Sequence, residues 1–247
     1  MIKEFDHFSY SNVSLWYQCP RAWYIRYIEE ILPELSNAQL FGTAAHNAIE
    51  KDMLDGTSIA HATFEKHLKQ AVKERGNGDL FPQEDFDKMC EEARIIFGDP
   101  MVQWIIDGIN AVEIERYIEF KVPNVPVPII GFIDVVCDDG VPLDIKTSWN
   151  DWGNTRARTE LQPNFYLYAM DVLNIAGAKH GGRFRHLVIV KRTDAPRAYV
   201  LETRRDNYIE TVDSMVQTMW AGIKDQAWSY KTYKCHNPRC VCHQRSW

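Results

Sequence analysis

Two short apolar segments, Gly131-Phe132-Ile133-Asp134-Val135-Val136 and Asp144-Ile145-Lys146-Thr147-Ser148, flank the turn signal Asp138-Asp139-Gly140. Each reads as a strand, and the turn between them predicts a hairpin. Residues i and i+2 of a strand share a face, so Asp144 and Lys146 emerge side by side while Ile145 points into the core. The hairpin brings Asp134 next to them. Two carboxylates and one ammonium therefore meet at one sheet surface. Hard divalent cations take oxygen ligands, and Mg2+ in particular binds through one or two carboxylates plus water and phosphate. A lysine beside such an ion can help activate water and stabilise charge on phosphate.

The rest of the chain places this hairpin in an α/β context. Apolar periodicity predicts helices over 9–30, 42–55, 58–75, 83–110, 159–176 and 206–226. Thr43 is the expected cap of the second helix, which ends near Asp55-Gly56. Strands are predicted over 112–122, 129–137, 141–147, 183–191 and 197–203, with a Pro-rich loop at 123–128. Helices first, then a mixed sheet with a crossover helix, imply an α/β core with an N-terminal helical elaboration. The expected organisation is a helical region 1–110, a core 111–226 and a Cys-rich basic tail 227–247 that packs back on the N-terminal region, all in one compact domain.

The formal net charge of −6 argues against a protein that coats nucleic acid through bulk charge. Cations for local contacts are present: Arg156, Arg158, Lys191, Arg192, Arg204, Arg205, and Lys231, Lys234, Arg239 and Arg245 in an acid-free tail. Trp228, Tyr230 and Tyr233 interleave with the tail lysines, as base-stacking aromatics do in a basic groove. No apolar run approaches the ~20 residues that span a bilayer, and no signal-peptide pattern opens the chain, so a cytoplasmic protein is expected. Of the six cysteines, Cys90 and Cys137 read as core residues, while Cys19 stands alone and Cys235, Cys240 and Cys242 cluster. In a reducing cytosol such clustering favours metal over disulfides. A phosphate-binding G-x-x-x-x-G-K-[ST] loop is absent, so no ATPase motor is evident.

Five elements then occur in one order: Ser9-Tyr10-Ser11 with Cys19-Pro20-Arg21-Ala22-Trp23-Tyr24; Gly42-Thr43-Ala44-Ala45-His46; Glu119; Gly131-Phe132-Ile133-Asp134 with Asp144-Ile145-Lys146; and Gln162-Pro163-Asn164-Phe165-Tyr166. Together they resemble the PD-(D/E)xK nuclease superfamily, in its RecB/Cas4-like exonuclease branch. The resemblance implies a restriction-endonuclease-like core, a mixed central sheet flanked by helices. It implies that His46, Asp134, Asp144 and the Ile145 carbonyl bind Mg2+ or Mn2+, and that Lys146 is the catalytic lysine. Glu119 would be an accessory catalytic acid, although alternation puts Glu113, Glu115 and Glu119 on one face and does not choose among them. Glu50, at i+4 from His46, can orient the imidazole. Gln162 and Tyr166 share a helix face and would contact substrate, while Thr159-x-x-Gln162 also fits a capping box. Cys19 with Cys235, Cys240 and Cys242 would hold a [4Fe–4S] cluster. The C-x4-C-x-C spacing, with His236 and His243 beside it, also suits Zn2+.

The function implied is a metal-dependent DNA exonuclease that processes ends in recombination, repair or phage DNA metabolism. The alternatives are a structure-specific endonuclease, or a catalytically weak DNA-binding or assembly subunit, for example in CRISPR adaptation. The partners expected are single- or double-stranded DNA ends, with a homo-oligomer or recombination and repair proteins, and no membrane.

Overall fold

The computed structural model describes residues 4–32, 35–57, 59–75 and 81–229. Helices α1 (Tyr10–Gln18), α2 (Pro20–Tyr27), α3 (Asn37–Asp55), α4 (Ala60–Arg75), α5 (Gln83–Phe97) and α6 (Pro100–Asp107) precede the sheet. Strands β1 (Ala111–Phe120), β2 (Ile129–Cys137) and β3 (Pro142–Ser148) follow. Helices α7 (Asn154–Thr159) and α8 (Gln162–Val172) then lead to β4 (Arg183–Val190), β5 (Arg197–Arg204) and α9 (Tyr208–Lys224). The five strands form one mixed sheet in the order β1-β2-β3-β4-β5. All neighbours are antiparallel except β3 and β4, which α7 and α8 join as a crossover.

Each face of the sheet buries its own apolar layer. Against one face, α1, α2, α8 and α9 contribute Trp16, Trp23, Phe165 and Val216, which meet Ile118, Phe120, Ile129, Ile133 and Phe184. Against the other, α3 to α6 contribute Phe41, Ala45, Phe64, Phe97 and Ile106, which meet Val135, Leu143, Ile145, Leu187 and Ile189. Ile145 is fully buried, as alternation requires for the residue between Asp144 and Lys146. Helices α1 and α9 approach closely because Gly222 has no side chain: a Cβ there would lie 2.4 Å from the Trp16 indole.

Several boundaries differ from the sequence expectations, each for a local reason. The helix predicted over 9–30 breaks at Cys19, which is extended (φ −164°, ψ 106°) because the residue before a proline avoids the α region. Cys19 then caps α2, its Sγ accepting from the Ala22 N–H at 3.4 Å. The helix predicted over 83–110 breaks in the same way before Pro100. Asp99 caps α6, accepting from the Met101 and Val102 N–H groups at 2.9 and 3.1 Å. Helix α3 starts earlier than expected, at a reciprocal capping box of Ser36 and Gln39 rather than at Thr43. It ends as expected, at Gly56 in the left-handed conformation. Cys137 is buried, whereas Cys90 is only half-buried and lines the groove between α4 and α5.

Past α9 the chain returns to the N-terminal helices. Trp228 stacks on Trp23 (centroids 5.7 Å apart) and also touches Trp16 and Tyr24. Its aromatic surface is committed to packing, so it is not a free base-stacking ring. Tyr230, Lys231, Tyr233, Lys234, Cys235, Arg239, Cys240, Cys242 and Arg245 lie outside the described residues. No helix among the described residues is long and apolar enough to cross a membrane.

Candidate active site

Strands β2 and β3 pair only at Val135–Leu143 and Val136–Pro142, and then part. Asp134 and Asp144 stand at the mouth of this fork. The Asp134 side chain replaces the missing strand partner: its Oδ2 accepts a hydrogen bond from the Ile145 N–H at 2.8 Å. The carboxylate is thereby held at β3 by a backbone bond that regular pairing would otherwise make.

Helix α3 crosses above the fork and delivers His46. The His46 Nε2 is in close contact with the Ile145 carbonyl oxygen. Its Nδ1 lies 3.5 Å from Asp134 Oδ2 and 3.8 Å from Glu50 Oε1, one turn along the helix. From the opposite side, the Lys146 Nζ donates to Asp144 Oδ1 at 3.0 Å and to Gln162 Oε1 at 2.9 Å. Gln162 in turn donates to the Tyr166 hydroxyl at 2.7 Å. The first residue of α8 thus reaches into the fork. Leu161, not Thr159, occupies the N-cap position, with no side-chain cap, and Thr159 bonds to the Arg156 carbonyl instead. The capping-box alternative for Gln162 does not hold.

His46, Asp134, Ile145, Asp144, Lys146, Gln162 and Tyr166 therefore form one connected group. Glu119 does not join it. It is exposed, pairs across the sheet with Ile130, and accepts a hydrogen bond from the Tyr117 hydroxyl at 2.8 Å. The acid of β1 nearest the group is Glu115, which lies opposite Asp134 in the strand register. Its φ of 50° is left-handed, a conformation that costs a non-glycine residue about 1–3 kcal/mol and clusters at functional sites. Nothing in a one-dimensional alternation marks that kink. Glu50 was legible as the i+4 partner of His46, though not as a buried acid of the cluster.

A family model, that of the PD-(D/E)XK nuclease superfamily, matches residues 7–245. The chain belongs to this superfamily. Two solved structures are similar to it to different degrees. A "Putative exonuclease" from Eubacterium rectale is 14% identical, with 98% of this chain and 89% of that one covered at a TM-score of 0.62. SSO0001 is 15% identical over 89% of this chain and 77% of its own, at a TM-score of 0.37, too low to carry an argument. No curated protein matches the sequence.

The electrostatics of the fork are those of a site short of positive charge. Burial and the neighbouring Asp144 push the Asp134 carboxyl up to about 7. Burial alone would lower the His46 pKa, but Asp134, Glu50 and Asp144 outweigh it and raise it to about 9. Burial likewise opposes the charge on Lys146, and Asp144 more than compensates, so the ammonium is held protonated. Glu115 is raised chiefly by Glu50. Tyr166 is pushed well above its ordinary value by burial and by both aspartates.

These residues fit a divalent cation. His46, Glu50 and Asp134 each offer one donor atom, and the three atoms lie within 4.8 Å of one another. Asp144 Oδ2 is buried and lies 2.9 Å from the Lys146 Nζ, but too poorly aligned for a hydrogen bond, so it keeps a lone pair free. An imidazole among carboxylates suits Mn2+ as well as Mg2+.

The cations named from the sequence divide by their partners. Arg192 pairs with Asp194 and Arg204 with Asp206. Arg205 caps the C-terminus of α7, donating to the carbonyls of Ala157 and Glu160 at 2.7 and 3.0 Å. Lys191 lies over the Phe41 ring, 4.8 Å from its centroid. Arg156 and Arg158, both exposed on α7, have no acidic partner among the described residues. The Arg156 guanidinium lies 4.1 Å over the Trp152 ring.

Proposed function

We propose that this chain is a divalent-metal-dependent deoxyribonuclease that hydrolyses phosphodiester bonds at DNA ends. The observation that carries the proposal is the fork, where His46, Asp134, the Ile145 carbonyl, Asp144 and Lys146 converge on one point of the sheet. His46, Asp134, Asp144 and the Ile145 carbonyl would hold Mg2+ or Mn2+. When bound, the ion supplies a water of lowered pKa and a counter-charge for the phosphate oxygens.

The remaining chemistry belongs to the side chains. Lys146 stays an ammonium, so it donates hydrogen bonds to phosphate and stabilises the charge that builds there rather than removing a proton. Asp144 and Gln162 fix its Nζ from two sides, and Tyr166 fixes Gln162. Gln162 and Tyr166 thus act first by positioning the lysine. The accessory acid of β1 is assigned to Glu115 rather than Glu119, because Glu115 stands at the register position of Asp134 while Glu119 is four residues further along the strand and bonded to Tyr117. Glu50 holds the imidazole of His46. Arg156 and Arg158, six and four residues before Gln162 and without an acidic partner among the described residues, take the phosphate backbone next to the scissile bond.

The action on ends rests on the family resemblance and not on the 14%-identical neighbour, which supports the fold alone. The same holds for a [4Fe–4S] cluster, or Zn2+, at Cys19, Cys235, Cys240 and Cys242. What supports that site is the return of the chain at Trp228 to the helix that Cys19 caps. Anaerobically purified protein containing neither iron nor zinc would remove it. The nuclease assignment is tested on one gel, with linear, closed-circular and single-stranded DNA in Mg2+, Mn2+ or chelator. Metal-dependent loss of linear DNA with circles intact is the expected result. Cleavage of circles would make it an endonuclease, and no cleavage of any form would overturn the proposal.

A further inference from the structure

The sheet face that carries Asp134 also carries a pair of aromatic rings that are about half exposed. Tyr117 on β1 and Phe132 on β2 are direct cross-strand partners. Their centroids lie 5.4 Å apart in an edge-to-face arrangement. Tyr117 is 46% exposed and Phe132 is 52% exposed, in a protein whose other β2 residues are buried or half-buried. Phe132 precedes Asp134 by two residues. At about 3.4 Å per residue it stands roughly 7 Å along the same face from the carboxylate. It lies beyond the last β2–β3 pair, so it lines the β2 wall of the open fork rather than a closed sheet.

Charge decides what could sit there. Glu119 accepts from the Tyr117 hydroxyl at 2.8 Å, which fixes the ring, and Glu115 stands on the same strand toward the fork. The two acids repel a phosphate backbone or an anionic lipid surface. They leave the neutral face of a nucleobase acceptable, and the two rings offer it a π surface. The platform is continuous with the catalytic fork, so its occupant is set by what the fork holds.

Resting on the nuclease reading above, we infer that Tyr117 and Phe132 form the platform on which an unpaired nucleobase of the substrate strand stacks. That base lies next to the phosphate held at Asp134, Asp144 and Lys146. The platform makes single-stranded or frayed ends the preferred substrate class. The backbone runs along the α7 side of the fork and the bases turn toward β1 and β2. Stacking of this kind is indifferent to sequence, because every base has a π face.

The test uses the full chain and a short single-stranded oligonucleotide carrying 2-aminopurine near one end, with Ca2+ in place of the catalytic ion. Wild-type protein should quench the 2-aminopurine, and Phe132→Ala should abolish the quench and weaken binding by about 5- to 150-fold. Phe132→Trp should keep both, and Tyr117→Ala should lie between. An identical quench in wild type and Phe132→Ala would overturn the inference, as would a wild-type protein that cleaves DNA without any quench. Quenching that depends on Phe132, in a protein that cleaves no DNA with Mn2+, would uphold the platform and sink the hydrolytic reading instead. A wild-type dimer that Phe132→Ala dissociates would assign the pair to contact between copies and overturn the inference.

Discussion

The two ends of the β2–β3 hairpin hold the same kinds of residue in opposite electrostatic states. At the turn, Asp139 accepts from both Nη atoms of Arg185 at 3.0 and 2.7 Å and from Arg183 at 3.2 Å. Arg185 also donates to Glu202 on the neighbouring strand at 2.9 Å. Burial there raises the Asp139 pKa, but the hydrogen bond from Arg185, the Val141 N–H and the charges of Arg185 and Arg183 together outweigh it, and the carboxyl ends below its ordinary value. At the fork, Asp134 is buried beside Asp144 and is raised to about 7. Asp134 and Asp139 are five residues apart in sequence. The turn is a closed network that serves the fold. The fork is left unbalanced, and such imbalance is the usual mark of a functional site.

The comparison can be broken most sharply by substitution at each end. Asp134→Asn, Asp144→Asn and Lys146→Ala should each lower DNA cleavage by about 10^3-fold or more, the scale of losing a transition-state contact. The metal-free melting temperature of Asp134→Asn should hold or rise, because the substitution removes a repelled carboxylate. Arg185→Ala should do the reverse. It should cost about 1–3 kcal/mol in a denaturant titration, toward the lower figure because Asp139 is about a third exposed. Its cleavage rate should stay within about twofold of wild type. Loss of activity in Arg185→Ala at unchanged stability would erase the distinction between the two ends.

How far this was legible varies residue by residue. Asp134, Asp144 and Lys146 follow from strand alternation and one turn signal, and Ile145 is the buried residue between them. His46 was named from the family resemblance and Glu50 from its i+4 spacing to His46, yet only the crossing of α3 over the fork brings them to Asp134. The accessory glutamate proposed above was not legible: alternation offered Glu113, Glu115 and Glu119, and the left-handed φ of Glu115 has no sequence signal. Gln162 had a sound local alternative as a cap, and its real partner, Lys146, is sixteen residues earlier. The two helix breaks were readable from Cys19-Pro20 and Asp99-Pro100, but apolar periodicity runs straight across both. Phe132 lies in an apolar strand segment that gives no sign of its exposure. Ile129 and Ile133 of the same strand are buried, so its exposure depends on what packs over its face of the sheet, which is a tertiary fact.

The central claim is that the fork is strained by its own charge until a cation enters it, and pH-resolved thermal unfolding with and without Mn2+ tests this most directly. Asp134 is raised from 3.8 to about 7 and His46 from 6.5 to about 9, so the folded protein binds protons more tightly than the unfolded chain at both sites. Stability from both groups is present at low pH. It is lost as pH rises, through about 4–7 for Asp134 and about 6.5–9 for His46. Asp139 acts oppositely, stabilising above its unfolded pKa and losing that contribution in acid. Metal-free wild type should therefore lose melting temperature between pH 6 and pH 9 more steeply than Asp134→Asn. Mn2+ should restore it most at the high end, by about 5–10 °C at a hundredfold excess over its Kd. Parallel pH profiles for wild type and Asp134→Asn, with no effect of Mn2+ on either, would contradict the account.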